Sequence, residues 1–139
     1  MIDVIVPVYD GLEETKRCID SVLNNKNVTP FNLVVIEDCS PNPAIRSYLQ
    51  ELSGKGVIEL IVNDKNKGFV GTANRGMSLH SDRDVLLLNS DTEVANDWLD
   101  RIVKHAESDG RIATITPFSN NAELCSFPRY CQPNALFLG

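Results

Sequence analysis

Asp84-Val-Leu-Leu-Leu-Asn-Ser-Asp-Thr-Glu93 is the stretch whose reading decides the fold. Its apolar residues, Val85 to Leu88, run straight into the polar cluster Asn89, Ser90, Asp91, Thr92 and Glu93. A short apolar run bounded by polar residues predicts a buried strand, and the cluster then falls where that strand emerges. Open α/β sheets take ligands outside the carboxyl ends of their strands. A carboxylate placed there, such as Asp91, suits a hard cation, which is held through oxygen.

Working outward, the same pattern recurs. Ile2 to Val8 (IDVIVPV), Phe31 to Ile36 (FNLVVI), Val57 to Val62 (VIELIV) and Arg111 to Thr116 read as further strands. Between them lie stretches of helical periodicity. Leu12, Thr15, Ile19, Val22 and Leu23 share one face. Asn42 caps a second helix with Pro43 at its first position, and Ile45, Leu49 and Leu52 mark its apolar side. Phe69 to Leu79 is a helix built on small residues, and Asn96 or Asp97 caps a last helix carrying Trp98, Leu99, Ile102, Val103 and Ala106. Strict alternation of strand and helix with short connections predicts an α/β, Rossmann-like, mostly parallel sheet with helices on both faces. This domain is expected over residues 1–117. Residues 118–139, broken by Pro128 and Pro133, are expected to be irregular and to begin a second half that the chain lacks.

The bulk numbers agree with one soluble domain. The chain has 139 residues, 42% hydrophobic and 23% charged, with a formal net charge of −6. That acidity argues against a nucleic-acid partner, whose binding surfaces are basic. No stretch approaches the roughly 18 consecutive apolar residues of a membrane span. No basic region or cleavage pattern marks a signal peptide, so a cytoplasmic start is expected. Cys18, Cys39, Cys125 and Cys131 form no C-x-x-C pair, which favours reduced thiols over a zinc site.

Polar clusters end three of the strands: Tyr9-Asp10, Glu37-Asp38 and Asn89-Ser90-Asp91. One acidic strand end is ordinary turn chemistry, but in a parallel sheet all three share an edge and together favour a ligand crevice. A nucleotide fits their chemistry: Tyr9 offers a face for stacking, Asp38 accepts from a base N–H, and Asp91 holds a divalent ion. Asn66 to Gly76 (NKGFVGTANRG) adds a glycine-rich loop running into a helix. It matches neither the G-x-x-x-x-G-K-[ST] nor the G-x-G-x-x-G pattern. The plainer reading of Gly71, Ala73 and Gly76 is close packing of the helix on the sheet. Lys65, Lys67 and Arg75 either neutralise a diphosphate or are solvated. His80 and His105 read as helix-surface residues.

Taken in order, Val6-Pro7-Val8-Tyr9, Val35-Ile36-Glu37-Asp38-Cys39-Ser40, Asn66-Lys67-Gly68 through Asn74-Arg75-Gly76, and Leu87-Leu88-Asn89-Ser90-Asp91-Thr92 resemble the family 2 glycosyltransferases of the GT-A fold. The resemblance implies that Pro7 and Tyr9 line a nucleobase pocket and that Asp38 contacts the base. Glu37 stands where the family often has Asp. Gly68 to Asn74 would lie near the ribose and diphosphate. Asn89-Ser90-Asp91 would be the family's Asp-x-Asp motif, with Asp91, and Asn89 in the first position, toward Mg²⁺ or Mn²⁺. Asn89, and Ala73 where many relatives have Arg, resemble the rhamnosyltransferase-like branch.

The implied activity is inverting, metal-dependent transfer from a UDP-, GDP- or dTDP-linked sugar to the hydroxyl of a glycan or lipid-linked acceptor. Cell-surface polysaccharide synthesis at the inner face of the membrane and peripheral membrane attachment go with it, and apolar surface exposed by a missing second half is expected to favour self-association. The family's acidic base lies in a later half, so it is expected beyond Gly139. Asp109 and Glu123 are the last acids, and both read as surface residues. The rival is a non-catalytic nucleotide-binding or interaction module on the same fold.

Overall fold

The structure, a computed structural model, describes residues 1–122 and 125–135. Its elements are β1 (Ile2–Val8), α1 (Leu12–Asn24), β2 (Phe31–Glu37), α2 (Pro43–Gly54), β3 (Glu59–Val62), α3 (Gly68–Met77), β4 (Asp84–Leu87) and α4 (Trp98–Ala106). The chain divides into two compact units, Met1–Asn96 and Asp97–Gly139.

In the first unit all strand pairings are parallel, and the order is β3-β2-β1-β4. β1 pairs along its whole length with β2, from Ile2 opposite Phe31 to Val8 opposite Glu37. Its first half also pairs with β4, from Ile2 opposite Asp84 to Ile5 opposite Leu87. Val4, Ile5, Val6 and Val8 are fully buried. Since successive side chains of a strand point to opposite faces, both faces of the central strand are covered, as an all-parallel sheet requires.

The helices begin and pack for local reasons. Asn42 Oδ1 accepts the Ala44 N–H at 3.0 Å, and Pro43 occupies the first turn, where a missing N–H costs nothing. α3 approaches the sheet closely at Gly76. A Cβ there would stand 2.4 Å from Ile5 Cγ2 and 3.0 Å from Ile36 Cδ1. The small-residue pattern of this helix is therefore a packing feature at Gly76 and at buried Ala73.

Two expectations are corrected. Arg111 to Thr116 forms no strand: these residues are exposed and join no ladder, so the sheet has four strands among the described residues. β-propensity reflects packing against neighbours, and this segment finds no strand partner. His80 does not sit on a helix surface. It lies beyond α3, where its Nδ1 meets Asp3 Oδ2 at 2.7 Å, beside Arg83 Nη1 at 3.0 Å from Asp3 Oδ1. Asp3 is buried. Burial pushes its carboxyl up, but the His80 and Arg83 bonds outweigh that and hold it below the usual carboxylate range.

The second unit contains α4, whose Trp98 and Leu99 are buried. It also holds an isolated bridge, Ser119 to Ser126, beside which the tilted rings of Phe118 and Phe127 lie with centroids 5.6 Å apart. Glu123 lies outside the described residues. Among those described, no helix is long and apolar enough to cross a membrane.

Candidate functional site

The strand order creates the site. The chain steps from β1 to β2 to β3 in one direction, then returns so that β4 lies on the other side of β1. The loops leaving β1 and β4 must part at that reversal, which opens a crevice at their carboxyl ends. A cavity of about 490 Å³ lies there. It is lined by Pro7 near the end of β1, Asp10 and Gly11 after it, Glu14 on α1, Phe69 on α3, and Asn89, Ser90 and Asp91 after β4. The β1 and β4 clusters thus meet as expected, although Tyr9 is about half exposed and is not among the lining residues.

The cavity combines an apolar lining with carboxylates. Asp10, Glu14 and Asp91 place carboxylates on its wall, and none of the described lining residues is basic. An anion entering alone meets like charge, although these carboxylates are exposed to solvent and Glu14 is paired with Arg17 Nη2 at 3.3 Å. An anion that arrives with a divalent cation meets a favourable field. The donors offered by Asn89, Ser90 and Asp91 are all oxygens apart from the Asn89 amide nitrogen, the set a hard cation prefers. Among the described residues no group of three or more His, Cys, Asp or Glu side chains could hold a metal unaided. Asn89, Ser90 and Asp91 could thus supply only part of a cation's ligand shell.

The β2 cluster serves differently. Glu37 is fully buried; its Oε2 accepts from Arg46 Nη2 at 2.6 Å, and its Oε1 accepts the Ser40 N–H. Asp38 is nearly as buried, and its Oδ1 accepts from Asn63 Nδ2 at 2.6 Å and from the Lys67 N–H at 2.8 Å. Burial raises its pKa, but these bonds, with those from Thr72 and the Gly68 N–H, bring it below the usual range. Asp38 thereby ties the 63–68 loop to the sheet and sets where α3 starts. Gly68 begins that helix at φ +69, a conformation that favours glycine. Asn74 lies on the exposed side of α3. Arg75 Nη1 donates to the Val62 carbonyl at 3.2 Å and to Asn63 Oδ1. It is therefore engaged at the end of β3, while Lys65 and Lys67 are exposed.

The sequence reading missed Gly11, Glu14 and Phe69 as lining residues. Glu14 lies in the first turn of α1, which starts after Gly11 at φ +81.

A four-stranded parallel sheet with an acid-lined cavity at its reversal point defines a class of α/β proteins that take ligands at the strand ends. The family is more specific. The family model described as Glycosyl transferase family 2 matches residues 3–129, and the chain belongs to that family. The succinoglycan biosynthesis protein ExoO of Rhizobium meliloti (strain 1021) is 31% identical over 108 residues, covering 76% of this chain and 30% of that protein. The dolichol-phosphate mannosyltransferase of Pyrococcus furiosus is 25% identical over 132 residues, covering 93% of this chain and 36% of its own length. The chain thus spans about a third of these relatives.

Among solved structures, the mannosyltransferase PcManGT from Pyrobaculum calidifontis, in complex with GDP-Man and Mn²⁺, matches with a TM-score of 0.64 at 19% identity. That match covers 77% of this chain and 32% of the other. GalNAc-T7 with UDP, GalNAc and Mn²⁺ matches with a TM-score of 0.66 at 20% identity, covering 78% of this chain and 21% of the other. These likenesses establish the GT-A fold.

Proposed function

We propose that these residues bind the nucleoside-diphosphate sugar of a glycosyl transfer, together with Mg²⁺ or Mn²⁺. The observation that carries this is the cavity at the β1/β4 reversal, with Asn89, Ser90 and Asp91 on a wall rich in carboxylates and free of basic groups among its described lining residues. Such a wall repels a bare diphosphate and accepts one that brings a cation. Asp91 is the principal ligand and Asn89 an uncharged second. When bound, the cation supplies Lewis-acid stabilisation of the departing diphosphate. Pro7 and Phe69 close the apolar side, and Asp38 acts by holding the loop from which α3 starts.

The finer parts of the reading rest on the resemblance of the sequence motifs to the family. Inversion at the anomeric carbon, a rhamnosyltransferase-like donor and a glycan or lipid-linked acceptor belong to the proposal. So do cell-surface polysaccharide synthesis, a cytoplasmic setting at the inner face of the membrane, and self-association. The general base that deprotonates the acceptor is proposed to lie outside these 139 residues.

Calorimetry with UDP, GDP and dTDP, with and without Mn²⁺, tests the reading. Binding should require the metal and be abolished by Asp91→Ala. Binding indifferent to both would favour a non-catalytic module, a reading to which Asn89 lends weight by removing one charge from the cation's site.

A further inference from the structure

The turn that carries Asn89, Ser90 and Asp91 is held from outside by one face of α1. Its near end continues the sheet, where the Leu88 N–H donates to the Ile5 carbonyl at 2.9 Å. The turn closes on the Asn89 carbonyl, which accepts the Thr92 N–H at 3.1 Å and the Cys18 thiol at 3.4 Å. Its far end is gripped at Val94, and both backbone groups of that residue are taken by side chains at the end of α1, Ser21 within the helix and Asn25 at its C-cap. The Val94 N–H donates to Ser21 Oγ at 3.0 Å, and its carbonyl accepts from Asn25 Nδ2 at 3.0 Å.

The gripping side chains are themselves fixed. Ser21 Oγ donates to the Cys18 carbonyl at 2.7 Å, and Asn25 Nδ2 also donates to the Ser21 carbonyl at 2.7 Å. Cys18 is fully buried, and burial pushes its thiol up to about 12, so it remains a neutral donor. Arg17 adds an ion pair to Glu93 at 3.2 Å, exposed on both sides and so of little weight. The last two turns of α1 therefore present a polar seam to a single loop about seventy residues away in sequence. Glu14, one turn earlier on the same helix, lines the cavity.

We propose that Ser21 and Asn25 are positioning residues, which by clamping Val94 hold the Asn89–Asp91 turn in the geometry that receives the cation and its diphosphate. The proposal rests on the donor-site reading for its ligand, but the clamp itself does not. Neither residue touches the cavity. They act through the backbone, as residues behind a metal's own ligands do, where loss costs roughly 10–100-fold in metal affinity.

The test uses the whole chain and the variants Ser21→Ala, Asn25→Ala and Ser21→Thr, with Lys16→Ala on α1 as control. Two quantities are read. The first is exchange of the Thr92 amide by NMR, chosen because its acceptor, the Asn89 carbonyl, is untouched by every variant. The second is the Mn²⁺ concentration that half-saturates nucleotide binding. Both alanine variants should speed Thr92 exchange by at least about fivefold while β1 and β2 amides keep their protection. They should raise the Mn²⁺ requirement by roughly 10–100-fold. Ser21→Thr should restore both, and Lys16→Ala should alter neither.

Unchanged Thr92 exchange in both alanine variants overturns the clamp. Faster exchange with an unchanged Mn²⁺ requirement overturns its role in the site. A wild-type chain that binds none of the nucleotides at any Mn²⁺ concentration defeats the donor-site reading instead, and Thr92 exchange then decides the clamp alone.

Discussion

At the scale of single residues, the carboxylates around the cavity have different duties. Asp91 is paired with an uncharged neighbour, Asn89, so much of the charge a cation meets comes from Asp91 itself. Asp10 lines the same wall, and its Oδ1 accepts the Gly11 N–H at 2.8 Å. Asp10→Asn keeps that acceptor and removes the charge. It should therefore leave the turn intact and weaken the repulsion of bare diphosphate. Metal-free UDP binding, measured by calorimetry, is expected to improve by less than about tenfold, since an exposed charge is screened. Asp91→Ala acts in the opposite sense on the metal-bound state. If Asp10→Asn weakened metal-free binding, the acid wall would not be what imposes the metal requirement.

At the scale of elements, α3 and α1 position the site by different means. α3 relies on contact. Its Gly76 meets Ile5 and Ile36 so closely that an added methyl overlaps fully buried side chains. Gly76→Ala gains about 1 kcal/mol of helix propensity but forces a core shift costing roughly 1–3 kcal/mol. A net loss of stability is expected in urea unfolding, and a stabilised variant would refute the packing argument. α1 relies on hydrogen bonds, and its seam to Val94 joins elements far apart in sequence. The small residues of α3 were legible because glycine inside a helix demands a reason. The seam was not, because Ser21 and Asn25 read as an ordinary polar position and a helix end until the loop is seen against them.

At the scale of the whole molecule, acid should unfold the chain partly through two buried carboxylates. Asp3 and Asp38 both have folded-state pKa values below the ordinary 3.8. Each therefore contributes stability that is fully present above the unfolded value and is lost as pH falls through the lower folded value. Stability measured by denaturant should be level with respect to these groups near neutrality and decline below about pH 4. Asp3→Asn should be less stable at pH 7 by roughly 1.5–3 kcal/mol, the worth of bonds to a charged group, with a shallower decline in acid. An unaltered acid limb in that variant would remove Asp3 from the explanation.

Local pattern alone determined the four strands, the helices between them and the parallel α/β class, but β3 and β4, expected to be buried, are half-exposed edge strands, with Val62 and Leu87 open to solvent. Burial on both faces demands continuous apolar runs in β1 and β2, and Asn42-Pro43 starts a helix through its own chemistry. The order of four motifs also sufficed for the family. Tertiary structure decided which strand ends meet. Strand order is set by long-range pairing, which leaves no local trace; placing β4 beside β1 joins Asp91 to Pro7, Asp10 and Glu14. The same packing turns Glu37 and Asp38 inward, where a buried carboxylate must find donors. A run of residues records what each segment can become, whereas the opening at the end of Asp84 to Leu88 exists only because distant segments took their places around it.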